Sequence, residues 1–155
     1  MRRQDREVLQ PEQIDAIIES CDCLRLGLNA EDGAYIVPLN FAYVPGKPAK
    51  FYFHSAKEGR KVDMIGQGAK AGFELDGAHR LGEAETGCRH TFFYQSVIGT
   101  GTVRPVETLE EKKRALSAIM AHYRKDRAFS FTDEQADAVA VFCLTAETMS
   151  CKQHS

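Results

Sequence analysis

Between Cys23 and Asn29 the chain alternates, with Leu24, Leu26 and Leu28 on one side and Cys23, Arg25 and Gly27 on the other, which predicts a strand. Glu31-Asp32-Gly33 then predicts a hairpin turn, because Asp-Gly readily supplies the positive φ that tight hairpins need. A second strand is expected from Ala34 to Tyr43, with Tyr35, Val37, Leu39, Phe41 and Tyr43 on one face. Pro38 sits inside it without an N–H to donate, so the strand belongs at a sheet edge or carries a bulge. Pro45 to Pro48 reads as a turn and Lys50 to His54 as a third strand. Ahead of these, Pro11 opens a short helix whose Ile14, Ile17 and Ile18 have i, i+3, i+4 spacing.

Ser55-Ala56-Lys57-Glu58 matches a capping box and predicts a helix to about Ile65, stopped by Gly66 and Gly68. Ala71 to Leu75 reads as a fourth strand, and the polar, Gly-containing stretch from Asp76 to Arg89 as a long loop. His90 to Val103 is a long strand in which Gly99 and Gly101 suit the coiling of a barrel. Thr108-Leu109-Glu110-Glu111 is a second capping-box match, starting a helix with the stripe Leu116, Ile119, Met120 and Tyr123. Asp126 to Glu134 is a connection, and Ala138 to Thr145 a last strand, apolar on both faces and therefore buried. The expected fold is mainly β (α+β), a barrel of about six strands with a few peripheral helices, formed as a single domain over 1–155.

Composition narrows the function. Hydrophobic residues make up 43% of the 155 positions and charged residues 27%, enough for a packed core. The formal charge of −2 argues against a nucleic-acid partner held by bulk positive charge, while leaving room for a local basic pocket. No apolar run follows the basic N-terminal residues, and none is long enough to span a membrane. The five cysteines form no CxxC pair, so reduced thiols and a cytoplasmic location are expected.

The segment Phe51 to Lys61 concentrates the candidate chemistry. A strand leads into a helix start where free amides, the Ser55 hydroxyl, Arg60 and Lys61 could cradle an anion such as a phosphate. The same residues also suit an ordinary capped helix with solvated cations. His54, at the strand end, is either a functional group or a hydrogen-bonded structural histidine. Gln95 and Ser96 point to opposite faces of the long strand, so one of them needs an inward partner, either a ligand or neighbouring backbone. The spacing of His79, Cys88 and His90 matches no common zinc pattern, so no metal is expected. Walker, GxGxxG and Ser/His/Asp signatures are absent.

Four stretches in this order resemble the FMN-binding split β-barrel proteins related to pyridoxamine 5′-phosphate oxidase, and within them the nitroimidazole-resistance type. They are Met1 to Glu7, Ala34 to Phe41, Phe51 to Ala56 with Gly59-Arg60-Lys61, and Ser96 to Gly101. The resemblance implies a split barrel and a homodimer with FMN in a groove at the interface. It implies that Val37, Pro38, Leu39 and Asn40 run beside the isoalloxazine ring, largely through backbone. It implies that His54, Ser55, Arg60 and Lys61 hold the ribityl phosphate, and that Ser96, with Gln95 beside it, lies along the flavin. The implied activity is an oxidoreductase that reduces nitroaromatic or other small electron-poor acceptors, with NAD(P)H as a visiting donor and His54 delivering protons or contacting substrate. A non-enzymatic flavin or haem carrier on the same fold is the alternative. The basic set that would grip a pyridoxine phosphate substrate is missing. The polar, His- and Cys-bearing stretch from Asp76 to Arg89 departs from the pattern, and loops near the groove select the substrate.

Overall fold

The computed structural model describes residues 3–155, so Met1 and Arg2 of the first resembling stretch lie outside the described residues. Helix α1 (Pro11–Ser20) precedes the hairpin of β2 (Leu24–Ala30) and β3 (Gly33–Leu39), with the two-residue β1 (Glu7–Val8) ahead of them. Leu24, Leu26 and Leu28 are buried as their alternation requires, and Gly33 takes φ +125° at the turn.

The strand expected over 34–43 divides in two. β3 stops at Leu39, and β4 (Ala42–Val44) pairs with β5 (Lys50–Ser55) instead of β2. The Phe41 N–H donates to Tyr123 Oη at 3.1 Å, which withdraws it from any ladder, and Tyr123 Oη donates in turn to the Asp22 carbonyl. The break therefore depends on a side chain 82 residues further on.

Two long strands, β6 (Ala69–Gly82) and β7 (Thr91–Pro105), form a second antiparallel hairpin, and β8 (Ala140–His154) lies between β7 and β5. The sheet order is β3-β2-β6-β7-β8-β5-β4, with β1 added on β8. Its two ends, β3 and β4, are joined by only Asn40 and Phe41. The sheet therefore curls until its edges meet through the chain and not through a ladder, the geometry of a split barrel. Among the described residues eight strands replace the expected six, because one expected strand divides and β1 is added.

Three further expectations are corrected. The polar stretch after Leu75 continues β6 to Gly82, since Arg80, Leu81 and Gly82 pair with Phe93, Phe92 and Thr91. Only its end forms a short 3-10 turn, Gly87–Arg89. β8 continues nine residues past Thr145 because backbone pairing to β7 persists where its outward side chains become polar. The connection after Asp126 contains α4 (Asp133–Asp137).

The barrel interior holds Phe41, Phe51, Phe53 and Phe142 with Leu75, Val97 and Leu144, all fully buried or nearly so. Helix α1 covers it with Ile17 and Ile18. Helix α3 (Leu109–Tyr123) contributes Ala115 and Leu116 to a smaller cluster with Val106, Ala136 and Val141. At Thr108 only half of the expected capping box forms: Thr108 Oγ1 accepts the Glu111 N–H, while the Glu111 carboxylate accepts from the Tyr52 hydroxyl. The complete box is at α4. Thr132 Oγ1 accepts the Gln135 N–H at 3.2 Å, and Gln135 Oε1 accepts the Thr132 N–H at 3.0 Å. Thr132→Ala is expected to cost about 1 kcal/mol in urea unfolding by removing the hydroxyl that accepts the Gln135 N–H.

Candidate functional site

The site begins where β5 ends. Ser55 still belongs to the strand, opposite Ala140, and its hydroxyl donates to the Ala56 carbonyl at 2.7 Å. The capping box expected at Ser55 and Glu58 does not form. Gly59, at φ +125°, is the residue before α2 (Arg60–Ile65), so the helix starts five residues after Ser55. Glycine adopts that φ without the Cβ penalty other residues meet, and this moves the helix entry past the Ser-x-x-Glu match. Arg60 and Lys61 thereby become its first two residues, where a helix gives cations no support.

The two cations differ. Arg60 Nη2 donates to Asp32 Oδ1 at 2.5 Å, and its guanidinium lies 4.8 Å above the Tyr35 ring. Arg60 thus fastens α2 to the β2–β3 hairpin. Lys61 is half-buried and has no carboxylate partner among the described residues, and burial pushes its ammonium below the ordinary lysine value. His54 presents an exposed outer side. Partial desolvation, and secondarily the charge of Lys61, push its imidazole below the ordinary 6.5. An ammonium without a carboxylate partner among the described residues, near a depressed imidazole, is a pair that suits a phosphate dianion, and the Ser55 hydroxyl follows next in the chain.

From Tyr35, under Arg60, β3 continues through Val37 and Pro38 to Leu39, and the chain runs on to Asn40, about 17 Å in all at strand rise. Val37 and Leu39 turn towards the core, while Pro38 and Asn40 are exposed. Because β3 ends the sheet, one edge of its backbone has no strand partner. A free strand edge offers carbonyls and amides to the polar rim of a flat heterocycle. Arg60, on Asp32 and over Tyr35, ties the start of α2 to the start of this edge, an order that fits a ligand with a phosphate at one end and a ring at the other. Beyond Asn40, the Phe41 ring packs 4.5 Å from His122. His122 lines a cavity of about 560 Å³ with Tyr43, Arg124, Lys125 and Arg127.

Gln95 and Ser96 lie elsewhere. Gln95 Nε2 donates to Gln153 Oε1 at 3.2 Å, an oxygen that also accepts from Gln13 at 3.0 Å. Ser96 faces Asp76 on β6 and Lys152 on β8 and lines a cavity of about 240 Å³ with Glu7, Ile98, Ser150 and Lys152. His54 is opposite Val141 and Ser96 opposite Lys152, positions eleven residues apart on β8. That is a path of about 35 Å along the strand. Within one chain, the residues expected to share a ligand therefore form two separate groups.

Sequence reasoning passed over Asp32 and Tyr35, which hold Arg60, and the charges around Asp76. Arg25 Nη1 donates to Glu74 Oε2 at 3.0 Å and also to Asp76 Oδ1, and His79 Nε2 is 2.9 Å from Asp76 Oδ2. The acids at 74 and 76 alternate along β6, a visible signal that the loop expected from Asp76 obscured. Among the described residues no three His, Cys, Asp or Glu side chains converge as a metal site. Burial pushes the Cys21 and Cys151 thiols up to about 11.

The family model described as pyridoxamine 5′-phosphate oxidase matches residues 10–153. One similar solved structure is a Bacteroides thetaiotaomicron protein provisionally assigned to 5-nitroimidazole antibiotic resistance. It is 30% identical, with 95% of this chain and 86% of that one covered and a TM-score of 0.80. The FAD and heme binding protein from Mycobacterium smegmatis is 16% identical, with 97% and 74% covered and a TM-score of 0.83. The flavocytochrome Anf3 from Azotobacter vinelandii is 16% identical, with 100% and 72% covered and a TM-score of 0.79. The last two likenesses are of fold alone. None of the curated proteins matches the sequence.

Proposed function

The chain belongs to the pyridoxamine 5′-phosphate oxidase family, and on that footing we propose that it is an FMN-dependent oxidoreductase, working as a homodimer, that reduces nitroaromatic or other small electron-poor acceptors. The observation that carries this reading is Lys61, half-buried near His54 and without a carboxylate partner among the described residues. Lys61, Ser55 and His54 bind the phosphate, and Arg60 holds the cradle against β3. The free edge from Val37 to Asn40 lies along the ring. When bound, FMN supplies the hydride and electron transfer, and the protein positions it and admits a reduced nicotinamide and the acceptor in turn. The nitroaromatic preference draws on the 30%-identical Bacteroides protein.

The separation of Ser96 from the cradle supports the homodimer. If the second copy brings its Gln95 and Ser96 to the flavin held by the first, the two groups become one site. The outer sheet face carrying Ser96 suits such an approach. Ile36 and Ile98 remain 63% and 55% exposed there. Gly27 lies opposite Ile36 and Gly72, and a Cβ on either glycine would meet nothing closer than 3.6 Å. Packing within the chain therefore does not require glycine at these positions, whereas a second backbone coming close to the face would.

Among the described residues no helix is long and apolar enough to cross a membrane. A cytoplasmic enzyme with reduced thiols remains the reading. A second reading, a non-enzymatic flavin or haem carrier, draws on the FAD and heme binding protein and the flavocytochrome of similar fold.

The absorption spectrum of the purified protein, followed by reduced-nicotinamide oxidation with a nitroaromatic and by sedimentation, tests the proposal. A yellow dimer that turns over supports it. A protein that takes up no FMN overturns it, and a yellow protein inert to donor and acceptor favours the carrier. Affinity should also depend on pH. Partial burial, and secondarily Lys61, hold the His54 imidazole below 6.5, and an adjacent dianion raises it, so binding takes up a proton. FMN should therefore bind more tightly as pH falls through the window from the raised to the depressed value. His54→Asn should abolish that component and leave only the titration of the phosphate itself, as fluorescence titrations at several pH values would show.

A further inference from the structure

At the bulge in β6, pairing with β7 jumps from Gly77–Gln95 to Arg80–Phe93. Ala78, in the bulge, takes φ +53°, a conformation that a residue with a Cβ adopts only at a cost. The consequence is the placement of His79. Its Nε2 is 2.9 Å from Asp76 Oδ2, and its ring centroid is 5.7 Å from that of Phe92. The ring is about half-exposed. Asp76 is itself fixed, because its other oxygen accepts from Arg25, which also bonds Glu74. Bulges re-aim side chains next to active sites, and a carboxylate on one ring nitrogen sets a histidine's tautomer and leaves the other nitrogen for chemistry.

Position gives this arrangement a role. Asp76 is directly opposite Ser96, and directly opposed residues of an antiparallel pair share a face. His79 therefore stands one side chain away from the Ser96 cavity, whose other charges are Lys152 on β8 and Glu7 on β1. The remaining charged neighbours are Glu74 on β6, Arg25 on β2, and Arg80, which is drawn onto the Phe93 ring at 4.1 Å.

We propose that His79 is a catalytic proton donor to the acceptor reduced at the flavin, and that Asp76 is its positioning residue. This rests on the reading above, in which Ser96 lies along the flavin. For a nitro group the step balances as RNO₂ + H⁻ + H⁺ → RNO + H₂O. His79 gives the proton, bound reduced flavin would supply the hydride, one N–O bond breaks, and the oxygen leaves as water. A reduced nicotinamide restores the flavin's electrons, and solvent reprotonates His79. Nε2 keeps its proton, which it donates to the Asp76 carboxylate, so the transferred proton leaves from Nδ1.

The test uses the FMN-loaded full chain with His79→Gln, His79→Ala and Asp76→Asn. The His79 variants are expected to bind FMN with wild-type affinity and to lose about a hundredfold in kcat for a nitroaromatic. Added imidazole should restore part of the rate to His79→Ala. Independently of activity, ¹⁵N spectra of the His79 ring should show the neutral form protonated on Nε2 in the wild type and a tautomer mixture in Asp76→Asn. Wild-type kcat in His79→Ala, or a slow variant that imidazole leaves unchanged, would overturn the proposal. An unchanged tautomer in Asp76→Asn would remove the positioning role. If the wild type takes up no FMN, the flavin reading falls and this proposal with it. If FMN binds and His79→Ala runs at full speed, this proposal alone falls.

Discussion

Gly99→Ala is expected to destabilise the protein by about 3 kcal/mol, the upper part of the usual range for overpacking a filled core. A Cβ at this position would lie closer than 3.0 Å to the Phe73 ring and to the Thr148 carbonyl oxygen. Phe73 is buried and packs its ring against Phe51, with centroids 5.1 Å apart, so it has little room to retreat. Thr148 belongs to the β7–β8 ladder, and moving its carbonyl disturbs the pairing next to Thr100. Gly101 is equally confined by the Thr145 carbonyl. For a chain of this length the loss corresponds to a fall in Tm of roughly 6–12 °C. Calorimetry of Gly99→Ala and Gly101→Ala would measure it. A melting temperature within a degree of the wild type would mean that the strands cross less closely than described.

Lys61→Ala is expected to weaken FMN binding about ten- to a hundredfold, because a hydrogen bond to a charged group contributes roughly 1.5–3 kcal/mol. Arg60→Ala should have the smaller effect, since its guanidinium is already engaged by Asp32 and Tyr35. The contrast separates a phosphate ligand from a structural cation. Lys61→Met should also raise the melting temperature of the FMN-free protein, because it removes a half-buried charge that no carboxylate among the described residues offsets. Flavin fluorescence titration and thermal melts read the two effects separately. Unchanged affinity in Lys61→Ala would leave the cradle without its principal cation.

Much of this architecture was legible in the chain. The alternation at Leu24, Leu26 and Leu28, the Asp-Gly turn and the stripe on α3 are local signals, and each yields its expected element. Pro38 correctly pointed to an edge strand. The failures have a common cause, which is that a distant partner outweighs the local pattern. Tyr123 ends β3 by taking the Phe41 N–H, and nothing near Phe41 announces it. The far halves of β6 and β8 stay extended because β7 pairs with both, even though their outward side chains no longer alternate with apolar ones. At Ser55 the sequence matched a cap, and the permissive backbone of Gly59 placed the helix start elsewhere. The candidate site was legible as residue types, since His54, Ser55 and Lys61 lie together in sequence. That Arg60 is neutralised by Asp32, and that Ser96 lies far along β8, are facts of the fold.

The central place of β8 also shapes how the chain acquires its structure. Residues 140–154 pair with β7, β5 and β1, and they come last among the described strands. A nascent chain leaving the ribosome can form the two hairpins early, but the facing edges of β5 and β7 stay bare until this segment emerges. Closure is then a single late event that joins strands distant in sequence, the class of contact that folds slowly and leaves edges open to wrong pairing. Synthesis rate and chaperone access over the final fifteen-residue strand would therefore govern the yield of native protein more than events near the start of the chain.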